Sequence, residues 1–208
     1  MKPARLAILI LTVMMCATAF AQKEEVSVDY SYFAFYPAKS LAKVANLYGG
    51  GGAFVYNFSR HLGIKSEFEG YLSKTAQFTL PANPPIVPAA GTFKSQMNMF
   101  TFLFGPQFSF PVPSSKVRIF TEALFGGAYT NAWSNLFNTA GINGLAASKT
   151  GLAMSLGGGV DLGINDRVAF RIAEVDYVGT RYSWPTIGIQ NQNSVRYQGG
   201  FVFVFGSQ

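Results

Sequence analysis

The stretch at residues 195–205, VRYQGGFVFVF, alternates between two kinds of side chain. One face is apolar and aromatic and carries Tyr197, Phe201, Phe203 and Phe205. The opposite face begins with Arg196 and Gln198. A repeat of two residues is typical of a β-strand, because its successive side chains point to opposite sides. An aromatic face opposite a polar one indicates a strand with lipid outside and a polar lumen inside.

Eight segments of about ten residues or more share this alternation, and a tilted β-strand needs roughly that length to cross a bilayer. They are residues 26–36, 47–58, 62–72, 95–110, 116–129, 150–163, 167–179 and 195–205. Short turns at residues 59–61, 111–115 and 164–166 alternate with longer loops at residues 37–46, 73–94, 130–149 and 180–194. Outer-membrane barrels have this rhythm, with the short turns in the periplasm. The pattern predicts an all-β fold: an eight-stranded, antiparallel, closed transmembrane barrel with both termini on the periplasmic side.

Ten charged residues fall on the predicted inward face. These lumen candidates are Lys65, Glu67, Glu69, Arg118, Glu122, Asp161, Arg171, Glu174, Asp176 and Arg196. An eight-stranded barrel leaves an interior that side chains just fill, so the charges must pair with one another to offset their desolvation. We expect a salt-bridge network that plugs the lumen. The alternative is a narrow gated pore, in which these pairs rearrange to admit ions.

Two of the lumen cations have predicted partners. Arg118 and Glu122 lie four residues apart on one face, about 13 Å along a strand, which is too far for a good ion pair. Their partners must therefore come from neighbouring or opposite strands. We expect Arg118 and Arg196 to contact carboxylates across the barrel. The candidate carboxylates are Glu67, Glu69, Glu122 and Glu174.

The alternation of outward apolar and inward polar side chains is interrupted within residues 167–179. Ile172 falls on the outward face, and an unbroken alternation would then turn Glu174 and Asp176 towards lipid. A Lys or Arg at mid-bilayer costs roughly 2–4 kcal/mol, and an acidic residue costs less. We therefore expect a β-bulge near Ala173 that returns both acidic residues to the lumen.

Residues 49–52 are four consecutive glycines inside the second predicted strand. Such a run would weaken a flat strand in a soluble protein. In a small barrel it permits sharp bending and close packing of the wall against the contents. The glycines are therefore compatible with the barrel prediction.

The composition is that of a wall that faces lipid. Of the 208 residues, 49% are hydrophobic, 15% aromatic and only 12% charged, against about 25% charged in a typical soluble domain. After residue 21, no stretch supplies the roughly 20 unbroken apolar residues of a spanning helix. β-Strands are therefore the predicted membrane element. A soluble, lipocalin-like barrel is the rival fold, and the polar inward face of Lys65, Glu67 and Glu69 argues against it.

The first 21 residues have the pattern of a cleavable secretory signal. A basic start precedes an apolar run, and Ala19-Phe20-Ala21 ends it, which predicts cleavage before Gln22. The predicted organisation is therefore a signal peptide at residues 1–21 and a barrel domain at residues 22–208.

Charge, cysteine and histidine content narrow the possible functions. Loss of Lys2 and Arg5 with the signal lowers the formal net charge from +6 to +4, and the chain has no Lys/Arg-rich run, so nucleic acid is not an expected partner. The only cysteine, Cys16, also leaves with the signal, so the mature chain has no thiol chemistry. The only histidine, His61, lies in a short turn without a nearby acidic partner. We therefore predict no metal, no cofactor and no catalytic site.

The strand count, the loop rhythm and the closing VRYQGGFVFVF resemble the small eight-stranded outer-membrane barrels, the OmpA- and OmpX-like superfamily, over residues 26–205. The resemblance implies a monomer in the outer membrane, in contact with outer-membrane lipid. It also implies that the barrel-assembly machinery recognises the aromatic side chains of the last strand. The expected function is structural or a surface interaction through the outer loops. A narrow pore or small-solute transporter is the first alternative, and a lipid-modifying enzyme is the second.

Overall fold

The computed structural model describes residues 24–36, 45–80, 91–131, 149–184 and 188–206, which form eight strands. The strands are β1 (Glu24–Phe35), β2 (Ala45–Asn57), β3 (Leu62–Leu80), β4 (Gly91–Pro111), β5 (Val117–Thr130), β6 (Lys149–Gly163), β7 (Val168–Trp184) and β8 (Gly188–Phe205). Each strand pairs antiparallel with the next, and β8 pairs with β1, so the sheet closes into a barrel. The predicted all-β, eight-stranded, closed barrel is confirmed. The predicted signal peptide lies outside the described residues.

Side chains alternate between the barrel interior and its outer surface, as the two-residue period of a strand requires. In β8, Arg196 and Gln198 are buried, whereas Tyr197 between them is 49% exposed. In β4, Met99 points inward and Phe100 outward. Separately, no helix among the described residues is long and apolar enough to cross a membrane.

Three tight turns lie at one end of the barrel, together with the start of β1 and the end of β8. In the β6–β7 turn, Asn165 Oδ1 accepts hydrogen bonds from the backbone N–H groups of Arg167 and Val168, both at 2.9 Å. In the β2–β3 turn, the Ser59 hydroxyl accepts a hydrogen bond from the N–H of Leu62 at 3.1 Å. Short polar side chains that bond to the nearby backbone favour turns. We call this the turn end of the barrel and the opposite end the loop end.

The β3–β4 hairpin extends past its predicted ends. β3 continues to Leu80 and β4 begins at Gly91, so the predicted loop at residues 73–94 is too long. The four prolines that led to this prediction fall at residues 81–88, outside the described residues. A proline excludes a regular strand only where it stands. The pairing therefore continues up to the prolines, with a register irregularity between Ser73 and Ala76.

The β7–β8 hairpin is also longer than predicted. β7 continues to Trp184 and β8 begins at Gly188, so the predicted loop at residues 180–194 is wrong. Inside this extension, the Thr180 hydroxyl donates a hydrogen bond to Gln192 Oε1 at 3.2 Å. The described outward side chains of this extension include Arg181, Asn191 and Asn193, which are polar, whereas a lipid-facing strand is recognised by an apolar outer face. The pairing of the two strands is nevertheless regular.

The predicted β-bulge in β7 is present. The register of β7 against β8 shifts between Arg171 and Glu174. As a result, Ile172 and Ala173 are both exposed on the outer face, and Glu174 is fully buried. The extra residue restores the alternation, so Asp176 is also buried in the interior.

Candidate functional site

Lys65 lies at the centre of the charged half of the interior, towards the turn end. Its Nζ lies 2.9 Å from Glu67 Oε2, 2.9 Å from Glu122 Oε2 and 3.0 Å from Glu174 Oε1. The four side chains come from β3, β5 and β7, and none is more than 1% exposed. An ammonium group has three donors. Lys65 therefore finds an acceptor for every donor inside the barrel.

The three glutamates around Lys65 also have the spacing of a possible metal site. Carboxylate oxygens of Glu67, Glu122 and Glu174 lie within 4.8 Å of one another. Lys65 already places a positive charge among them. The arrangement suits a tethered ammonium group better than a free metal ion. The expectation that the chain needs no metal or cofactor remains a prediction.

Arg196 joins three strands of the wall. Its guanidinium makes a two-point contact with the Glu67 carboxylate, in which Nη2 donates to Oε2 at 3.1 Å. Its Nε donates to Asp176 Oδ2 at 2.9 Å. Arg196 is only 1% exposed, so the fork of donors that a guanidinium offers is used within the lumen. Glu67 belongs to the set of carboxylates predicted for this arginine.

Arg171 extends the network towards the turn end. Its Nη1 donates to Glu174 Oε2 at 2.7 Å, and its Nε donates to Asp161 Oδ1 at 2.9 Å. The guanidinium carbon also lies 4.4 Å from the centre of the Phe120 ring. A cation over an aromatic face is attracted by the ring quadrupole. Phe120 therefore gives this cation a favourable contact in addition to its carboxylate partners.

The predicted partners of Arg118 are wrong. Its guanidinium contacts both oxygens of Glu25 and donates to Asp161 Oδ2 at 2.7 Å. Neither residue is in the predicted set. β1 begins at Glu24, two residues before its predicted start, so Glu25 falls on an inward position that the sequence analysis did not include. Arg118 lies near the turn end, beside the first residues of β1. Asn57 Nδ2 also donates a hydrogen bond to Glu25, at 3.0 Å.

The ion pairs of Lys65 and the three lumen arginines form one continuous network, and the lumen as a whole holds more carboxylates than cations. All ten predicted lumen residues point inward. The cations are Lys65, Arg118, Arg171 and Arg196, and the carboxylates are Glu25, Asp29, Glu67, Glu69, Glu122, Asp161, Glu174 and Asp176. Among the described lumen side chains, the carboxylates thus outnumber the cations by two to one. The formal charge of the lumen is negative, which favours cations over anions near it.

Glu69 is held by the Ser31 hydroxyl rather than by a cation. Ser31 donates to Glu69 Oε2 at 2.7 Å, and Gln198 donates to Ser31 at 3.1 Å. The other carboxylate oxygen lies against Gly51, where an added Cβ would stand 2.6 Å from Glu69 Oε1. The glycine therefore lets the wall approach the carboxylate closely. Gly51 belongs to the run of four glycines for which such packing was expected.

The predicted set of ten lumen charges omits two buried carboxylates, Glu25 and Asp29. Asp29 alternates with outward-facing residues of β1, and its neighbour Ser27 donates to it at 2.7 Å. The alternation of β1 therefore already contained the signal for Asp29. Glu25 could be found only by extending β1 towards the N-terminus, because it lies outside the apolar stretch.

Apolar side chains form a buried cluster towards the loop end of the interior, where Thr180, Gln192 and Ser194 are also buried. The ring of Phe33 lies 4.9 Å from that of Tyr71, centre to centre. The other side chains of this cluster that are at most 2% exposed include Phe35, Leu47, Met97, Met99, Leu103 and Leu124. Close-packed side chains leave few voids as large as a water molecule. The buried side chains are therefore charged towards the turn end and include an apolar cluster towards the loop end.

His61 and the outward-facing aromatic side chains of β8 lie outside the network. His61 is exposed in the β2–β3 turn, and its Nδ1 lies 2.9 Å from the Ser109 carbonyl oxygen. The aromatic side chains predicted as the assembly signal all point outward, with exposed fractions between 39% and 53%. They are Tyr197, Phe201, Phe203 and Phe205.

Two solved structures share this architecture. Neisserial surface protein A matches over 86% of this chain and 96% of its own, with 11% sequence identity and a TM-score of 0.57. The outer membrane protein OprG from Pseudomonas aeruginosa matches over 90% of this chain and 97% of its own, with 14% identity and a TM-score of 0.54. This chain therefore has the fold of the small outer-membrane barrels. No protein-family model and no curated protein matches its sequence.

Proposed function

We propose that this chain is an outer-membrane barrel with a structural or surface-interaction role and a lumen closed by its own side chains. The distribution of polarity supports the proposal. Phe68 and Phe102, which are paired on β3 and β4, are 54% and 57% exposed, whereas Glu67 beside them is 2% exposed. Large exposed apolar surfaces are unfavourable in water. The same arrangement is the expected one for a barrel in lipid.

A cluster of tyrosines on the outer face supports a membrane position. On the outer face near the loop end, the ring of Tyr32 lies 5.4 Å from that of Tyr48 and 6.1 Å from that of Tyr197. Tyrosines are enriched where a membrane meets water. Outer-membrane barrels have short turns in the periplasm and longer loops outside, so in our proposal the loop end faces the cell exterior and presents the surface for interaction. The signal peptide at residues 1–21, with cleavage before Gln22, belongs to the same proposal.

The proposed partners follow from this location. They are outer-membrane lipid around the wall and the barrel-assembly machinery during biogenesis. The closed sheet has no free strand edge through which copies could pair, so we propose a monomer. Catalysis forms no part of the proposal, and neither does a nucleic-acid partner.

Membrane fractionation tests the location. The mature protein should sediment with outer membranes, resist extraction by high salt and be released by detergent. On a gel it should migrate differently before and after boiling, because a closed barrel stays folded in detergent until it is heated. Release by salt alone, or a single mobility under both conditions, would contradict the proposal.

Planar-bilayer recording distinguishes a lumen that is closed by salt bridges from a narrow gated pore. Transport of an ion would have to disrupt pairs such as Lys65–Glu122 and then pass the apolar cluster around Phe33. We therefore expect both the wild type and the Glu122→Ala variant to be silent. Stepwise currents in the wild type that grow in Glu122→Ala would favour the pore. The excess of lumen carboxylates then implies that those currents are carried by cations.

A further inference from the structure

The outer face of the barrel has a groove that runs from β4 to β8, towards the loop end. Its volume is about 650 Å³, which lies in the range of roughly 300–1,000 Å³ typical of sites for small ligands. The apolar side chains along it are Phe104, Phe125, Leu152 and Met154. Leu152 is 72% exposed, the highest fraction among the large exposed apolar side chains of the described chain.

A glycine opens this groove. Gly179 of β7 stands in register with Met154 of β6 and Asn193 of β8. A Cβ at Gly179 would lie 3.2 Å from Met154 Cε, so any larger side chain would fill the space between the two strands. The missing side chain leaves a depression on the outer face between Met154 and Asn193.

The groove changes from apolar to polar along the barrel axis. At its loop end, Leu152 stands in register with Arg181 and Arg181 with Asn191. Four residues nearer the turn end, the outward neighbours on the same strands are Leu156, Tyr177 and Val195. The polar end is therefore nearest the loops, and the apolar end points towards the middle of the barrel. A lipid has the same order, from headgroup to acyl chain.

Arg181 differs from the cations of the lumen. Lys65 and the three lumen arginines each contact carboxylates, whereas Arg181 forms no ion pair within the part of the chain that the structure describes. It is exposed at the polar end of the groove, beside the amide side chains of Asn191 and Asn193. A guanidinium group binds a phosphate through two parallel hydrogen bonds, and amide groups can add donors.

We propose that this groove binds one lipid that carries a phosphate in its headgroup, with the phosphate at Arg181 and an acyl chain along Leu152, Met154 and Phe125. The inference rests on the proposed membrane location. Gly179 provides room for the chain, and Arg181 selects lipids with a phosphate over neutral ones. The occupant comes from the membrane leaflet at the loop end, because the polar end of the groove faces that way.

Native mass spectrometry of the detergent-solubilised barrel tests the proposal. The probes are phosphatidylglycerol and a diacylglycerol with the same acyl chains but no phosphate. The wild type should retain one phosphatidylglycerol about tenfold better than the diacylglycerol, as expected for one charge-assisted contact. Arg181→Gln should remove that preference, and Gly179→Leu should weaken retention of both lipids.

Two variants control for charge and for bulk elsewhere on the surface. Arg60→Gln removes an exposed cation at the turn end, and Gly199→Leu adds a side chain to the outer face of β8, where a Cβ has only ordinary contacts at 3.4 and 3.7 Å. Both should retain phosphatidylglycerol like the wild type. Each protein is first shown to be a folded barrel by its mobility before and after boiling, which tests the proposed function separately. A folded wild type without the phosphate preference, or an equal loss in Arg181→Gln and Arg60→Gln, would overturn the inference.

Discussion

Lys65 and Glu174 are bonded to each other across the width of the barrel, with Nζ 3.0 Å from Oε1. They belong to β3 and β7, which are four strands apart in the closed order of eight and therefore stand on opposite walls. No backbone hydrogen bond joins these two strands directly. The contact therefore links two opposite strands directly, whereas the sheet connects them only through the strands that lie between them.

Replacement of Lys65 by Met should destabilise the barrel by about 3–5 kcal/mol, because three buried glutamates would lose the cation between them. The free energy of unfolding in urea, measured with the barrel in lipid vesicles, checks this. Lys94→Met, which removes an exposed lysine of β4, is the control and should change stability by less than about 0.5 kcal/mol. A similar loss of unfolding free energy in both variants would show that the ion pairs of Lys65 do not stabilise the barrel.

Arg118 and Glu25 should be energetically coupled. In a double-mutant cycle with Arg118→Met and Glu25→Gln, we expect a coupling of about 1–3 kcal/mol, because the residues share a two-point contact. The same cycle with Glu69→Gln should be additive within about 0.5 kcal/mol, because Glu69 is held by Ser31 instead. Coupling of Arg118 to Glu69 but not to Glu25 would contradict the observed pairing.

The comparison of Arg118 with Arg196 separates what the sequence could predict from what it could not. Alternation fixes the face on which a side chain lies, so both arginines were placed in the lumen correctly. Partner choice depends on how far each strand is displaced along the barrel axis relative to the others. Arg196 contacts Glu67, a predicted partner, whereas Arg118 contacts Glu25, which precedes the stretch identified as a strand. Alternation within one strand carries no information about this displacement.

The lengths of the β3–β4 and β7–β8 hairpins were predicted too short for a different reason. A lipid-facing strand is recognised by its apolar outer face, and the identification stops where that face becomes polar. In β7 the outer face carries Tyr177 and then Arg181, so the strand was predicted to end although its pairing continues to Trp184. The β-bulge at Ala173 was predictable, because the positions of Glu174 and Asp176 required it.

Gly51→Ala should destabilise the barrel by about 1–3 kcal/mol, which is the usual range for an overpacked site. The added methyl would overlap the carbonyl oxygen of Phe68 and stand 2.6 Å from Glu69 Oε1. Gly199→Ala is the matched control, because a Cβ there has ordinary contacts at 3.4 and 3.7 Å. Urea unfolding of both variants provides the measurement. Equal stability would mean that the wall can move away from Glu69 without cost.

Phe205 ends the aromatic outer face of β8, and Phe205→Ala should reduce assembly of the barrel in the outer membrane. Phe205 is 53% exposed and stands in register with Glu24 of β1, at the seam where the first and last strands close the sheet. If the barrel-assembly machinery recognises this strand, loss of the ring should lower the amount of barrel in the membrane. The measurement is the quantity of protein in outer membranes whose gel mobility changes on boiling.

Two further variants separate recognition of the last strand from loss of lipid-facing surface. Gln208→Ala changes the C-terminal residue and should assemble normally. Phe110→Ala removes a ring that is 50% exposed on the outer face near the turn end, but from β4. Because Phe205 and Phe110 expose similar fractions, the two alanine variants should lose similar stability when refolded in vesicles, yet only Phe205→Ala should accumulate less in cells. Equal membrane levels for Phe205→Ala and Gln208→Ala would show that the ring of Phe205 is not part of an assembly signal.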